Sequence, residues 1–381
     1  MKKKLKVVIG SRGTSRVPDF PGSTWVRMQY LLGLERLGVE AYWVDRVKPV
    51  DPLAYHHSLD YLTSRFDRLA HDFGFADRYC LVYNEGEKHF GLNGDELAAL
   101  AGNADLLLNI SGHLPASSPL NRIPRRAYID VDPGFAQIWG KQHLHFTPHN
   151  FFFTIGQNVG TERFVLPTNG VQWIPILPPV VLNQWPARID ESCVRFSTVA
   201  DWHAVQNASY DGELYGGKQD EIIRFIEVPR LAQKNVDIAL TINQTEHATQ
   251  GMLLENGWTI YDPYFYAGDV ESYREFIQFS RAEFSVAKGG YVKSNSGWVS
   301  DRTACYLASG KPAIVQSTGF ESTLPTGCGL LTFTTVEEAV AAIAHVESSY
   351  LEHCRAARRI AEEYFDSDRV LGGILEEVGL G

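Results

Sequence analysis

Residues Ala282 to Ile314, AEFSVAKGGYVKSNSGWVSDRTACYLASGKPAI, read as strand, loop rich in glycine and serine, helix, glycine stop and second strand. FSVA is a short apolar run of the kind that forms a buried parallel strand, and Asp301 to Ser309 has helical spacing that ends at Gly310. Between them Ser294, Asn295, Ser296, Gly297 and Ser300 offer hydroxyls and small-residue backbone at a helix start, where free N–H groups and the helix dipole favour an anion. Lys288 and Arg302 supply compensating charge nearby. A loop of this composition is suited to phosphate.

Working outward, the same alternation of strands and helices runs through the chain. Leu5 to Ile9 reads as a strand, Gly10 to Gly13 with Arg12 as a loop, Ser23 to Leu37 as a helix stopped by Gly38, and VEAYWVD as a second, parallel strand. ADLLLNISG, RRAYIDVDPG, FFFTIG and VQWIPIL supply further short strands, so residues 1–185 are expected to form one α/β domain. The proline-rich PILPPVVLNQWP, Pro175 to Pro186, is neither helix nor central strand and is read as the linker. Residues 186–365 then form a second α/β domain and 366–381 a terminal helix. A chain of 381 residues suits two such cores.

Composition narrows the function. Hydrophobic content of 44% and charged content of 21% are those of an ordinary globular protein. The net charge of −10 argues against binding to a phosphate backbone, so no nucleic-acid partner is expected. Cys80, Cys193, Cys305, Cys328 and Cys354 are scattered and lack a C-x-x-C pair, which points away from disulfides and zinc and toward the cytoplasm. No apolar run is long enough to span a bilayer, so no stable membrane insertion is expected.

The opening stretch resembles the donor-binding region of the GT-B glycosyltransferases. The matching residues are Ser296-Gly297-Trp298 with Ser300, then Gly310-Lys311-Pro312, then Gln316 to Phe320, followed by LPTGCGLLTFTTVEEAVAAI. The resemblance covers most of the C-terminal half and, more weakly, residues 1–45. It implies two Rossmann-like, doubly wound domains facing a cleft, with the terminal helix crossing back to the first. It further implies an EC 2.4 hexosyltransferase-type activity. Sugar would move from a nucleotide-diphosphate co-substrate, UDP or dTDP, to a small-molecule, lipid-linked or glycan acceptor, with no cofactor and no metal. Donor contacts are expected from Arg12 and Gly13, Trp202, Lys218 behind Gly216 and Gly217, Tyr266, Lys288, Ser296 to Arg302, and Thr318, Gly319 and Phe320 at the sugar. Many retaining members place two glutamates here, whereas this chain has none between Glu283 and Glu321. Asp301 is the substitute candidate for the ribose, or else a helix cap.

Catalytic candidates follow strand ends. His113 is the first choice for a base because imidazole titrates near neutrality. Asp130 is a second base or the partner of a histidine, while Asp132, before Pro133, reads as a turn residue. His149, Asn150 and Gln157 are candidates for acceptor hydroxyls. His143, His145 and His149 fall at a spacing that fits no single helix face, so a metal site is not expected. A nucleotide-sugar epimerase or hydrolase, or a non-catalytic nucleotide-sugar or glycan binder, are the alternative readings. Lys218→Ala and Arg302→Ala are both expected to weaken diphosphate binding with the fold intact.

Overall fold

The computed structural model describes residues 4–12, 21–49, 58–143, 146–203 and 207–381. Its first sheet contains β1 (Lys6–Arg12), β2 (Glu40–Val47), β3 (Tyr79–Tyr83), β4 (Lys88–Gly91), β5 (Leu106–Ile110), β6 (Arg125–Asp130), β7 (Phe151–Thr154) and β8 (Ile174–Pro175). The strand order is 4-3-2-1-5-6-7-8, and every pair is parallel except β3 with β4. LLLNI in β5 is buried at all of its residues, as expected for a central strand covered on both faces. The chain leaves β1 toward β2 and later returns to its other side as β5, which makes the β1/β5 gap a topological switch point.

The second half repeats the plan. Its strands are β9 (Phe196–Asp201), a small hairpin of β10 (Ala208–Tyr210) and β11 (Glu213–Tyr215), then β12 (Val236–Thr241), β13 (Trp258–Tyr261), β14 (Ala282–Ser285), β15 (Ala313–Gln316) and β16 (Leu330–Phe333). The main sheet is parallel throughout in the order 13-12-9-14-15-16. Its switch point lies between β9 and β14. Both switch points open at the carboxyl ends of their strands.

Several local readings change. Gly10, Ser11 and Arg12 are strand, because pairing with β2 continues through Arg12 opposite Arg46. GGKQDEIIRFIEVPRLA, Gly216 to Ala232, has the apolar spacing of one helix but forms two, Lys218–Arg224 and Val228–Ala232, with Pro229 in the first turn of the second. The polar stretch after β3 turns through Asn84 and Glu85, both left-handed at φ 44° and 60°, and returns as β4. Trp258–Tyr261 is an edge strand that periodicity alone did not mark.

Besides the packing of helix Pro21–Arg36 on helix Val270–Gln278, where Trp25 Nε1 donates to Val270 O at 2.8 Å, three joins tie the halves together. The linker pairs with the end of the chain, Val180 N–H donating to Phe365 O at 2.7 Å and Ser367 N–H to Val180 O at 2.9 Å. From there helix Ser367–Glu377 packs on helix Pro21–Arg36, where Arg36 makes two 2.8 Å bonds to Asp368. Gly33 permits that approach, since a Cβ there would lie 2.6 Å from Leu371. The third join is a backbone bridge between Gly156 and Trp298, reinforced by Asn158 Nδ2, which donates to Asn295 O at 2.9 Å and Gly319 O at 3.1 Å. Among the described residues no helix is long and apolar enough to cross a membrane.

Candidate functional site

Between the two sheets lies a cleft of about 480 Å³, walled by the carboxyl ends of β9 and β12, by the turn after β6 and by the N-terminal ends of helices Pro21–Arg36, Lys218–Arg224 and Asp301–Ala308. Three helix starts around one cavity concentrate unpaired N–H groups and positive dipole ends there. A second groove of about 430 Å³ runs beside it along Leu59–Asp72 and meets it at Pro21. Of its acidic residues Asp72, Asp269 and Glu271, the last two are engaged by Ser272 and Arg274 of the helix that Asp269 caps.

Cations in the cleft come from both domains. Lys218 opens its helix behind the N-cap Gly217 and makes no ion pair or side-chain hydrogen bond among the described residues. Burial, followed by repulsion from Arg302, pushes its ammonium pKa well below the usual lysine range, partly offset by attraction to Glu283. Arg27 faces it from helix Pro21–Arg36. It is 6% exposed, donates to Ser23 O at 3.0 Å and Ser23 Oγ at 2.7 Å, and keeps a buried Nε with no partner among the described residues. Burial lowers its pKa, and Asp45, Asp301 and Asp132 pull it back up. Sequence reading missed Arg27, which looks like any polar residue on a helix until the helix is set against the second domain. Lys288 is the third cation, salt-bridged at 2.6 Å to Asp132.

Arg302 lines the cavity but is built into its floor. Its Nε binds Glu283 at 2.8 Å, Nη1 binds Val199 O at 2.8 Å and Nη2 binds Ser285 Oγ at 2.5 Å, with Glu283 fully buried. The expectation that Arg302→Ala leaves the fold intact is therefore corrected, because the change strands a buried carboxylate. Ser300 caps the helix, its Oγ accepting from Arg302 N–H at 3.2 Å. Asp301 follows it in the cleft, where burial raises its carboxyl pKa to about 6 against the attraction of Arg27.

The two aspartates after β6 separate. Asp130 is 1% exposed and accepts from Asp132 N–H at 2.9 Å, Gln137 Nε2 at 3.1 Å and Thr154 Oγ1 at 2.9 Å. Burial raises its pKa to about 6, but these bonds commit it to shaping the turn. Asp132 instead faces the cleft, accepting from Lys288 Nζ at 2.6 Å and from the Tyr291 hydroxyl, both on the other domain. Burial opposes its ionisation, yet the Lys288 charge and these hydrogen bonds prevail, with a further contribution from His113, and hold its pKa below the carboxylate norm. The assignment of Asp130 as cleft carboxylate and Asp132 as turn residue is thus reversed. β6 stops at Asp130, so strand alternation does not carry on to Asp132.

The remaining candidates divide by place. Trp298 lines the cleft, stacked on Tyr291 at 4.4 Å between ring centroids and 30° between planes, and its buried indole N–H has no partner among the described residues. Ser296, Gly297, Thr318, Gly319 and Phe320 hold the loop together. Ser296 Oγ donates to Tyr291 O at 3.2 Å, Thr318 Oγ1 to Trp298 O at 2.6 Å and Gly297 N–H to Thr318 O at 2.7 Å, while Phe320 is in the core. Gly297 must be glycine, with φ +71° and a Cβ position 2.8 Å from Asn158 N. Arg12 ends β1 outside the cavity wall, Trp202 fills the second core, and Tyr266 is half exposed against Tyr261. Gly13 and His145 lie outside the described residues. The acceptor candidates are occupied elsewhere. His149 Nε2 is 2.9 Å from Asn109 Nδ2 in an aromatic core, Asn150 ties Arg126 N–H to Pro124 O, and Gln157 donates to Ile176 O at 2.6 Å.

No family model and no curated protein matches the chain. Solved structures do. An alpha-glucosyltransferase in complex with UDP and a 13-mer DNA containing a HMU base superposes with a TM-score of 0.65 at 12% identity, covering 99% of this chain and 100% of that one. The pneumococcal O-GlcNAc transferase GtfA with UDP and GlcNAc gives 0.58 at 9% identity over 98% of each chain. Sucrose-phosphate synthase from Thermosynechococcus elongatus gives 0.51 at 11%, over 98% of this chain and 99% of that. The shared fold is the two-domain GT-B arrangement. One expectation falls with it: the charge balance was read as excluding nucleic acid, yet structures sharing this fold over their whole length hold DNA. Net charge sums the whole surface, whereas a nucleic acid meets one face of it.

Proposed function

We propose that this GT-B chain is a nucleotide-sugar-dependent glycosyltransferase that binds the donor diphosphate between Lys218, Arg27 and the start of helix Asp301–Ala308. The observation that carries the reading is the pair of cations, one from each domain, that face a 480 Å³ cleft with no carboxylate among the described residues bound to either. Departure of a nucleoside diphosphate builds negative charge, which fixed cations and helix N-termini stabilise without reorganising. Two ammonium or guanidinium groups with Lys288 beside them supply that charge with no metal.

His113 serves as the base in this reading and Asp132 as its electrostatic partner. A carboxylate held ionised by Lys288 is a poor proton acceptor near neutrality, but it stabilises an imidazolium or a positively charged sugar carbon. Asp132→Asn is expected to slow donor consumption about 100-fold while leaving UDP affinity near wild type. An unchanged rate removes Asp132 from the chemistry.

The test of the donor site is thermal unfolding with UDP, dTDP, GDP, ADP and CMP. UDP at a hundredfold excess over its Kd is expected to stabilise the chain by about 2.7 kcal/mol. No shift with any nucleotide overturns the assignment. Acceptors are then screened with labelled UDP-sugars against small-molecule hydroxyls, glycans and HMU-containing DNA, and donor consumed with no acceptor present identifies a hydrolase or epimerase instead.

A further inference from the structure

We propose that a separate pocket in the N-terminal domain, between β2, the β3–β4 turn and Leu114–Pro119, binds a polyhydroxylated ring that anchors the acceptor. The inference rests on the transfer reading above and deepens it. The pocket holds about 100 Å³ and lies at the carboxyl ends of β2, β3 and β5, on the sheet face covered by helix Gly94–Asn103. Its walls are largely apolar, with Val44, Leu97 and Leu114 among them, and its polar groups are Arg46, Glu85, His89 and two serines.

Two features give this pocket a ligand chemistry. Arg46 Nη2 donates to Glu85 Oε1, but Arg46 Nε is buried and has no partner among the described residues. A buried donor left unmade is costly, and a small shift of the Arg46 side chain on ring binding would bring Nε to the pocket, where an entering oxygen satisfies it. Glu85, whose side chain is 54% exposed, is set opposite Arg46 by two successive left-handed, non-glycine residues, Asn84 and Glu85. Such backbone is strained and persists where the surroundings enforce it. Vicinal hydroxyls match the pair, since a hydroxyl both donates and accepts: one hydroxyl donates to Glu85 while its neighbour accepts from Arg46 Nε. The apolar walls suit the C–H face of a hexose or cyclitol.

The pocket adjoins the loop that carries His113. Leu114 lines its wall, and His113 is the residue before it. The ring held here is therefore a non-reacting unit, presenting a hydroxyl on an adjoining part of the acceptor to His113. Binding energy from such a remote unit sets specificity.

Saturation-transfer NMR on the full chain with millimolar glucose, galactose, N-acetylglucosamine and myo-inositol tests this. At least one ring is expected to bind, with Glu85→Gln weakening it about tenfold, the effect of one charge-assisted hydrogen bond. Ser117→Trp, at an exposed position on the rim, fills the pocket and should abolish the signal. UDP-induced stabilisation should persist in both variants. Binding of no ring, or equal binding to wild type and both variants, overturns the proposal. A wild type that binds the ring but not UDP leaves the pocket standing and defeats the transfer reading instead.

Discussion

Replacing Lys218 with methionine is expected to weaken UDP binding about 100-fold and, at the same time, to raise the melting temperature of the free protein. The first effect follows from losing two charge-assisted hydrogen bonds to phosphate oxygens, each worth about 1.5 kcal/mol. The second follows from linkage. The folded-state pKa of Lys218 lies well below its unfolded value of 10.5 because burial and the neighbouring Arg302 disfavour the charge. Between those two values the unfolded chain binds the proton more tightly, so wild-type stability rises with pH through that window. Below it the charged ammonium carries its full penalty in the folded state. Lys218→Met removes the penalty, so its advantage is largest on the acid side and shrinks as pH rises. Isothermal titration with UDP and melting curves across pH check the two parts. Wild-type UDP affinity in this variant removes the diphosphate assignment.

Glu283→Ala is expected to destabilise the chain by about 3–5 kcal/mol, the usual cost of stranding one member of a buried pair. Glu283 is fully buried under Arg302, and the guanidinium also ties Val199 O and Ser285 Oγ, so the pair links β9, β14 and helix Asp301–Ala308. Its Oε2 has no hydrogen-bond partner among the described residues and lies in the field of Lys218. Urea unfolding followed by far-UV circular dichroism measures the effect. A loss below about 1 kcal/mol, the range of exposed pairs, shows that the pair is not a structural clamp.

The fold was legible because its signals are local. Buried parallel strands such as LLLNI and FSVA, the glycine stops at Gly38 and Gly310, and the proline-rich stretch after β8 are set by short-range sterics and burial, and these the sequence displays directly. The site was less legible because one residue type serves two ends. Ser296 and Thr318 have the chemistry to hold a ligand, yet their hydroxyls close their own loop. Asn150 and Gln157 likewise bind backbone carbonyls. Arg27 and Asp132 carry no motif at all. Their roles come from the placement of one domain against the other, which depends on contacts such as Trp25 Nε1 donating to Val270 O at 2.8 Å, 245 residues apart in sequence.

The backbone bridge between Gly156 and Trp298, with the pairing of Val180 to the chain end, bears on how the cleft can open. Both are main-chain attachments that tie one domain to the other along an edge, so rotation about the line through them would disturb them least. Across the cleft the domains also meet through side chains, Lys288 and Tyr291 on Asp132, Trp25 Nε1 on Val270 O and Arg65 Nη2 on Gly268 O. Opening and closing would then act as a lever, small angles at the fixed edge becoming large displacements at the mouth. Widening the mouth would part these side-chain contacts and unfold no element.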